Sequence, residues 1–292
     1  MKSRIGSYTL LLLLAAGLAS ATNLDTCLQE LNTLYQGKCS SDYAVVASAA
    51  LELKWCIKDP TKYKGLKLSA QDIVCNCEAC HNIKNNGCWG GSVKEALEYI
   101  KLGKVSGGTY PNVSFTQPTF ADTITNYKLC LPYFDAICDP DTETSCQQKT
   151  FSTATHCPEK CSDPNQTLDV KTTGTSGILH SYSEKVGFSN IKNAVANGPV
   201  IGYMEIFEDM DYYFNKSSEI YVHANGQSLG VVAVIILDYK TGFKDGLDAW
   251  RVVVPWDKPL ADKAQKQVLN VIAGINHCNL EHTAYELTLT SA

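Results

Sequence analysis

Thirteen cysteines, all of them beyond residue 26, constrain this chain more than any other feature. So many thiols in one chain predict a disulfide-stapled fold matured in an oxidising compartment. The first residues predict the route there. Lys2 and Arg4 give a basic start, Tyr8 to Leu18 an apolar run, and Ala19-Ser20-Ala21 a small-residue cleavage site, the layout of a secretory signal peptide. The expected organisation is a signal peptide over 1–21 and one domain over 22–292 with no recognisable pro-region. Sequons at Asn112, Asn165 and Asn215 fit a glycosylated, exported protein. An odd cysteine total leaves at least one thiol unpaired, which raises the question of a nucleophile.

The remaining composition narrows the function classes. A net charge of -5 argues against nucleic acid or an anionic membrane as the main partner. Beyond the leader no stretch is long and apolar enough to span a bilayer, so no membrane span is expected after cleavage. The cluster Cys75-Asn76-Cys77-Glu78-Ala79-Cys80 could be read as metal ligands, yet the matching half of a zinc site is missing. No metal and no cofactor are expected.

Hydrophobic patterning divides the chain into a helical half and a strand half. Asp42 to Ile57 is apolar nearly all round, the mark of a helix buried in a core. Ser69 opens a second helix. Ser92-Val93-Lys94-Glu95 is a capping box for a third, with Val93, Ala96, Leu97 and Ile100 on one face and Gly103 as its stop. Residues 104 to 180 are loop-rich and hold five cysteines. A short helix over Ser189 to Asn197 precedes strands at Val200–Phe207, Gly230–Leu237, Ala249–Val254, Gln267–Ile272 and Tyr285–Leu289. This order predicts an α+β protein of two lobes.

Several short motifs, in consistent order, resemble a known family. Gln36-Gly37-Lys38-Cys39-Ser40-Ser41-Asp42-Tyr43-Ala44 is similar to the Q-G-x-C-G-S-C-W-A signature of the papain-like cysteine peptidases. Gly87-Cys88-Trp89-Gly90-Gly91 and Asn197-Gly198-Pro199-Val200 resemble its G-C-x-G-G and N-G-P-V segments. Val105-Ser106-Gly107-Gly108-Thr109-Tyr110, Cys130-Leu131-Pro132-Tyr133, Cys157-Pro158-Glu159-Lys160-Cys161 and His277-Cys278-Asn279-Leu280-Glu281 look like the cathepsin B branch. The resemblance implies a helical left lobe built on a buried central helix and an antiparallel, β-barrel-like right lobe. It also implies the pairs Cys27–Cys56, Cys39–Cys88, Cys130–Cys161 and Cys138–Cys146, with Cys75–Cys157 and Cys77–Cys80 where local spacing is altered. Cys278 is then the free thiol, matching an unpaired, non-catalytic cysteine of the family.

The resemblance breaks at the catalytic positions. A papain-like protease places its nucleophilic cysteine at the start of the central helix, where the helix end and a histidine favour the thiolate. Asp42 stands there. The histidine position falls on Val232 and that of the orienting asparagine on Val254, before Pro255-Trp256. Without a base nothing activates a nucleophile. Gln36, the family's oxyanion donor, is retained, but its catalytic value depends on charge that develops only after attack. Asp139 to Ser145 stands where cathepsin B has its occluding loop, is shorter and lacks a histidine, and Thr283 stands at the acidic pocket position. The expectation is therefore a secreted or secretory-lumen (extracellular, granule or lysosome-like) glycoprotein that is not a peptidase. It would bind an unidentified protein or peptide along Gly90 and Gly91. Two alternatives are an enzyme rewired around Asp42, with His180 or His223 as its helper, and a decoy for cystatin-type inhibitors.

Overall fold

A computed structural model of the chain describes residues 23–29, 31, 34, 36, 39–63, 66, 68–83, 86–103, 178–214, 216–255 and 268–289. At its centre lies α1, Asp42–Lys58, in which every residue from Tyr43 to Cys56 is buried. A helix apolar on all faces has no solvent side, so it is surrounded by neighbours. Its one buried carboxylate between those two residues, Glu52, accepts the Leu68 amide at 2.7 Å. Ser69 caps α2, Ala70–Asn76, by accepting the Asp72 amide, and Ser92 caps α3, Val93–Lys101, by accepting that of Glu95. The expected capping box is only half made. The Ser92 amide bonds to Cys80 O at 2.8 Å, so it has no need of the Glu95 side chain. The predicted α3 face, Val93, Ala96, Leu97 and Ile100, is buried.

Strands β1, His81–Ile83, and β2, Asn86–Gly91, form a small antiparallel hairpin beside α1. A six-stranded antiparallel sheet makes up the second half. Its strands are β3 (Leu179–Val186), β4 (Val200–Phe207), β5 (Ser228–Lys244), β6 (Leu247–Val253), β7 (Val268–Ile272) and β8 (Thr283–Leu289). The order across the sheet is β3-β8-β4-β5-β6-β7, and among the described residues no pairing closes β7 onto β3. A helix α4, Phe188–Val195, lies between β3 and β4.

Alternation along β5 assigns its side chains to two cores. Ala233, Ile235 and Leu237 join the cluster built around α1, whereas Val232, Val234 and Ile236 join a second cluster with Ile191, Trp250 and Val271. Both faces of this strand are covered, which is why it reads as an unbroken apolar run. Burying each of the Val, Ile and Leu side chains among these contributes about 1.5–3 kcal/mol. This is an α+β protein in which one face of the sheet packs on the helical half.

The β1–β2 hairpin lies in the half expected to be helical, and β6 and β8 each start two residues before the expected position. Three further differences have a physical reason. The pattern does not announce β3, because only its Leu179 is fully buried and the strand pairs with β8 along the sheet edge. β5 runs on to Lys244 past Asp238, whose charge reads as a strand end; a register shift between Ile236 and Asp238 lets that carboxylate meet Arg251 at 2.7 Å. The fourth helix spans Phe188–Val195 and gives way to a turn at Ala196 and Asn197.

Candidate functional site

The site begins at the first residue of α1. Asp42 Oδ2 accepts the Ala233 amide of β5 at 2.6 Å, across 191 positions of sequence. That amide is available because the β5–β6 ladder ends at the pair Ile235↔Val253. Beyond it Val254 and Pro255 make no further pair with β5. The carboxylate also receives its own amide and that of Tyr43, two of the donors a helix start leaves open. Burial nevertheless dominates and pushes the Asp42 carboxyl up from 3.8 to about 6, with the three amides opposing it.

The same junction holds Val232 and Val254, the two other positions that the resemblance singled out. Val232 is one peptide before the Asp42 contact, and Val254 lies just past the end of β6. Both are buried in the second core. Gln36 is buried nearby in sequence, three residues before Cys39. A disulfide ties Cys39 to Cys88 of β2, and an isolated bridge joins Ser40 to Trp89. These links set the hairpin end Gly90-Gly91 beside the start of α1. A Cβ on Gly91 would lie 2.6 Å from the Tyr43 ring, so glycine here permits the close approach. Gly90 has φ +79°, and a Cβ there would meet the Asn82 side chain at 2.8 Å.

Among the described residues, disulfides join Cys27 to Cys56, Cys39 to Cys88 and Cys77 to Cys80, and Cys75 is also disulfide-bonded. Cys278 is a buried free thiol, pushed up to about 12 by burial and by the charges of Glu205 and Asp209. A thiol so far from ionising is no nucleophile at neutral pH. The expected partners Cys130, Cys138, Cys146, Cys157 and Cys161, the sequons at Asn112, Asn165 and Asn215, the leader over 1–21, and Asp139 to Ser145 lie outside the described residues.

Neither histidine considered as a helper reaches Asp42. His180 is exposed on β3. His223 stacks on Phe207 at 3.8 Å and contacts Asp209 Oδ1 at 3.1 Å. It belongs to a polar cluster that sequence reasoning missed. There Asp209 also accepts Tyr221 Oη at 2.7 Å and the amides of Ala224 and Asn225, while His277 Nε2 accepts the His223 amide. Burial raises the Asp209 carboxyl, but these donors together hold it well below the usual range. Nothing in the spacing of Asp209 and His223 signals the pairing, since a long turn brings them together. All described hydrogen bonds to Asp42 come from backbone amides.

The family model described as papain family cysteine protease matches residues 26–288. The chain belongs to the papain family of cysteine proteases. Within that family it is similar to two cathepsin B-like cysteine proteinases of Caenorhabditis elegans. It is 28% identical to number 4 over 268 residues, covering 89% of this chain and 71% of that protein. It is 28% identical to number 5 over 266 residues, covering 88% and 70%. Its fold is similar to proCathepsin B S9 from Trypanosoma congolense, with a TM-score of 0.61 at 21% identity over 94% of this chain and 76% of that one. The papain-like fold is thus established.

Proposed function

We propose that this papain-family chain is an exported, disulfide-stapled pseudoprotease that binds a protein or peptide instead of hydrolysing one. The observation that carries the reading is the closure of Asp42 by three backbone amides where the family signature has its cysteine. A carboxylate is a poor nucleophile toward amides, and no imidazole is among its partners to move a proton. Val232 and Val254, at the base and orienting positions, are packed into an apolar core instead of facing a reacting group. The C. elegans relatives carry proteinase names, so the loss would be a property of this chain.

Binding is favoured by the surface beside Asp42. Trp89 is 54% exposed and Val231 61% exposed, one on the hairpin and one on β5. Each reaches the Asp42 junction, through the Ser40 bridge or the Ala233 amide. Exposed apolar side chains at such a junction suit an apolar residue of a bound polypeptide. Export is supported by the disulfides, and among the described residues no helix is long and apolar enough to cross a membrane.

The test is incubation of the purified chain with a diverse peptide library, with cleavage read by mass spectrometry beside an Asp42→Ala control. No cleavage by either is expected. Cleavage that disappears in the control would assign chemistry to Asp42 and overturn the proposal.

A further inference from the structure

A cavity of about 390 Å³ opens at the other end of α1, bounded by the helix, the Asn197-Gly198-Pro199 turn and β8. Lys54 and Asp42 are twelve positions apart, roughly 18 Å along the helix axis, so this cavity is separate from the Asp42 junction. Ile57, Pro199, Leu287 and Leu289 make most of its wall apolar.

Lys54 is the unusual member. It is only 9% exposed, and among the described residues its ammonium makes no hydrogen bond or ion pair. Its nearest influential charge is Glu286. Both oxygens of that carboxylate are engaged elsewhere: Oε1 accepts Asn197 Nδ2 at 3.0 Å, and Oε2 pairs with Lys185 at 3.0 Å. Burial draws the Lys54 ammonium below its ordinary range, an effect Glu286 only offsets. The stem is buried while the ammonium reaches the cavity without a partner among the described residues, so its three donors can meet an acceptor there.

Gly198 keeps that ammonium accessible. A Cβ there would stand 3.7 Å from Lys54 Nζ and cover it, and the φ of +115° is one that side chains avoid. We propose that the cavity is a binding site for a small organic monocarboxylate with an apolar body, the carboxylate on Lys54 Nζ and the body against Ile57 and Leu287. The charge count selects a monoanion. Lys54 and the exposed Lys58 against the Glu286 carboxylate leave one net positive charge, too little for a phosphate dianion, and the apolar wall gives a purely polar ion nothing to rest on.

Octanoate, with 1-octanol as its uncharged counterpart, tests the site by calorimetric titration of the full folded chain. Saturable octanoate binding is expected, about 10–100-fold tighter than octanol, the range of a charge-assisted hydrogen bond. Lys54→Met should bring octanoate down to the octanol level, and Lys54→Gln serves if that variant does not fold. Lys58→Met, which removes an exposed lysine at the rim, should leave the affinity within about 2-fold. Equal affinity for acid and alcohol, no saturable octanoate binding, or unchanged binding by the Lys54 variant would each overturn the proposal. All of these readouts are independent of whether the chain cleaves peptides.

Discussion

Replacing Asp42 by Asn should change the pH dependence of stability in a direction opposite to that of an ordinary paired carboxylate. The native carboxyl titrates near 6 instead of 3.8. Between those values the folded chain holds a proton that the unfolded chain has released, so stability falls as pH rises. The contribution is fully present below pH 3.8, is lost as pH climbs through 6, and stays lost above it. The displacement from 3.8 to about 6 corresponds to about 3 kcal/mol. Asparagine keeps a carbonyl oxygen for the 2.6 Å bond from Ala233 and cannot ionise. Wild type and Asp42→Asn should therefore be alike near pH 4, and the variant should be more stable by about 3 kcal/mol at pH 7. In melting temperature that is roughly 6–12 °C for a chain of this size. Urea titrations of both proteins at half-unit steps from about pH 3.5 to 7.5 read the difference directly. Parallel curves would refute the argument by placing the Asp42 carboxyl at its ordinary value. A wild type that gains on the variant with rising pH would mean that the three amides outweigh burial.

Three further outcomes follow from the packing and the chemistry. Asp42→Cys should remain without measurable hydrolysis of fluorogenic peptides, because Val232 and Val254 supply no base; turnover by that single variant would refute the assignment of both positions. Glu281→Ala should cost about 2–3 kcal/mol in urea unfolding, since it strands the buried Trp250 indole and removes the acceptor of the part-buried Gly274 and Asn276 amides; a loss under about 1 kcal/mol would mean that water replaces the carboxylate. Cys278 should stay unlabelled by a thiol reagent near pH 8 in the native protein and react on unfolding, as mapped by peptide mass; rapid native labelling would contradict its burial.

How far the sequence disclosed this molecule depended on whether a feature was local. The α1 helix was legible because all-round apolarity from Tyr43 onward has one structural solution, and the Ser69 and Ser92 caps because a cap acts over three residues. β3 was hidden because an edge strand with a part-exposed face carries no sustained alternation. Asp238 hid the length of β5, since its compensating Arg251 lies on the neighbouring strand. At the site, the identities of Asp42, Val232 and Val254 were readable by resemblance. The bond from Ala233 was not, because it depends on where the β5–β6 ladder runs out. The Lys54 cavity was likewise invisible because it is assembled from segments far apart in sequence, and the Asp209 cluster because the path of the turn from Asp209 to His223 leaves no periodic signal.

The all-round burial of α1 also has a kinetic consequence. Its amides are shielded by the hairpin, the sheet and two helices together, so no single neighbouring element can lift away and expose them. Disulfides at Cys39 and Cys56 tether the chain just before the helix and near its end, which suppresses fraying there. Hydrogen exchange along α1 should accordingly proceed only through opening of the whole molecule, making this helix its slowest-exchanging segment.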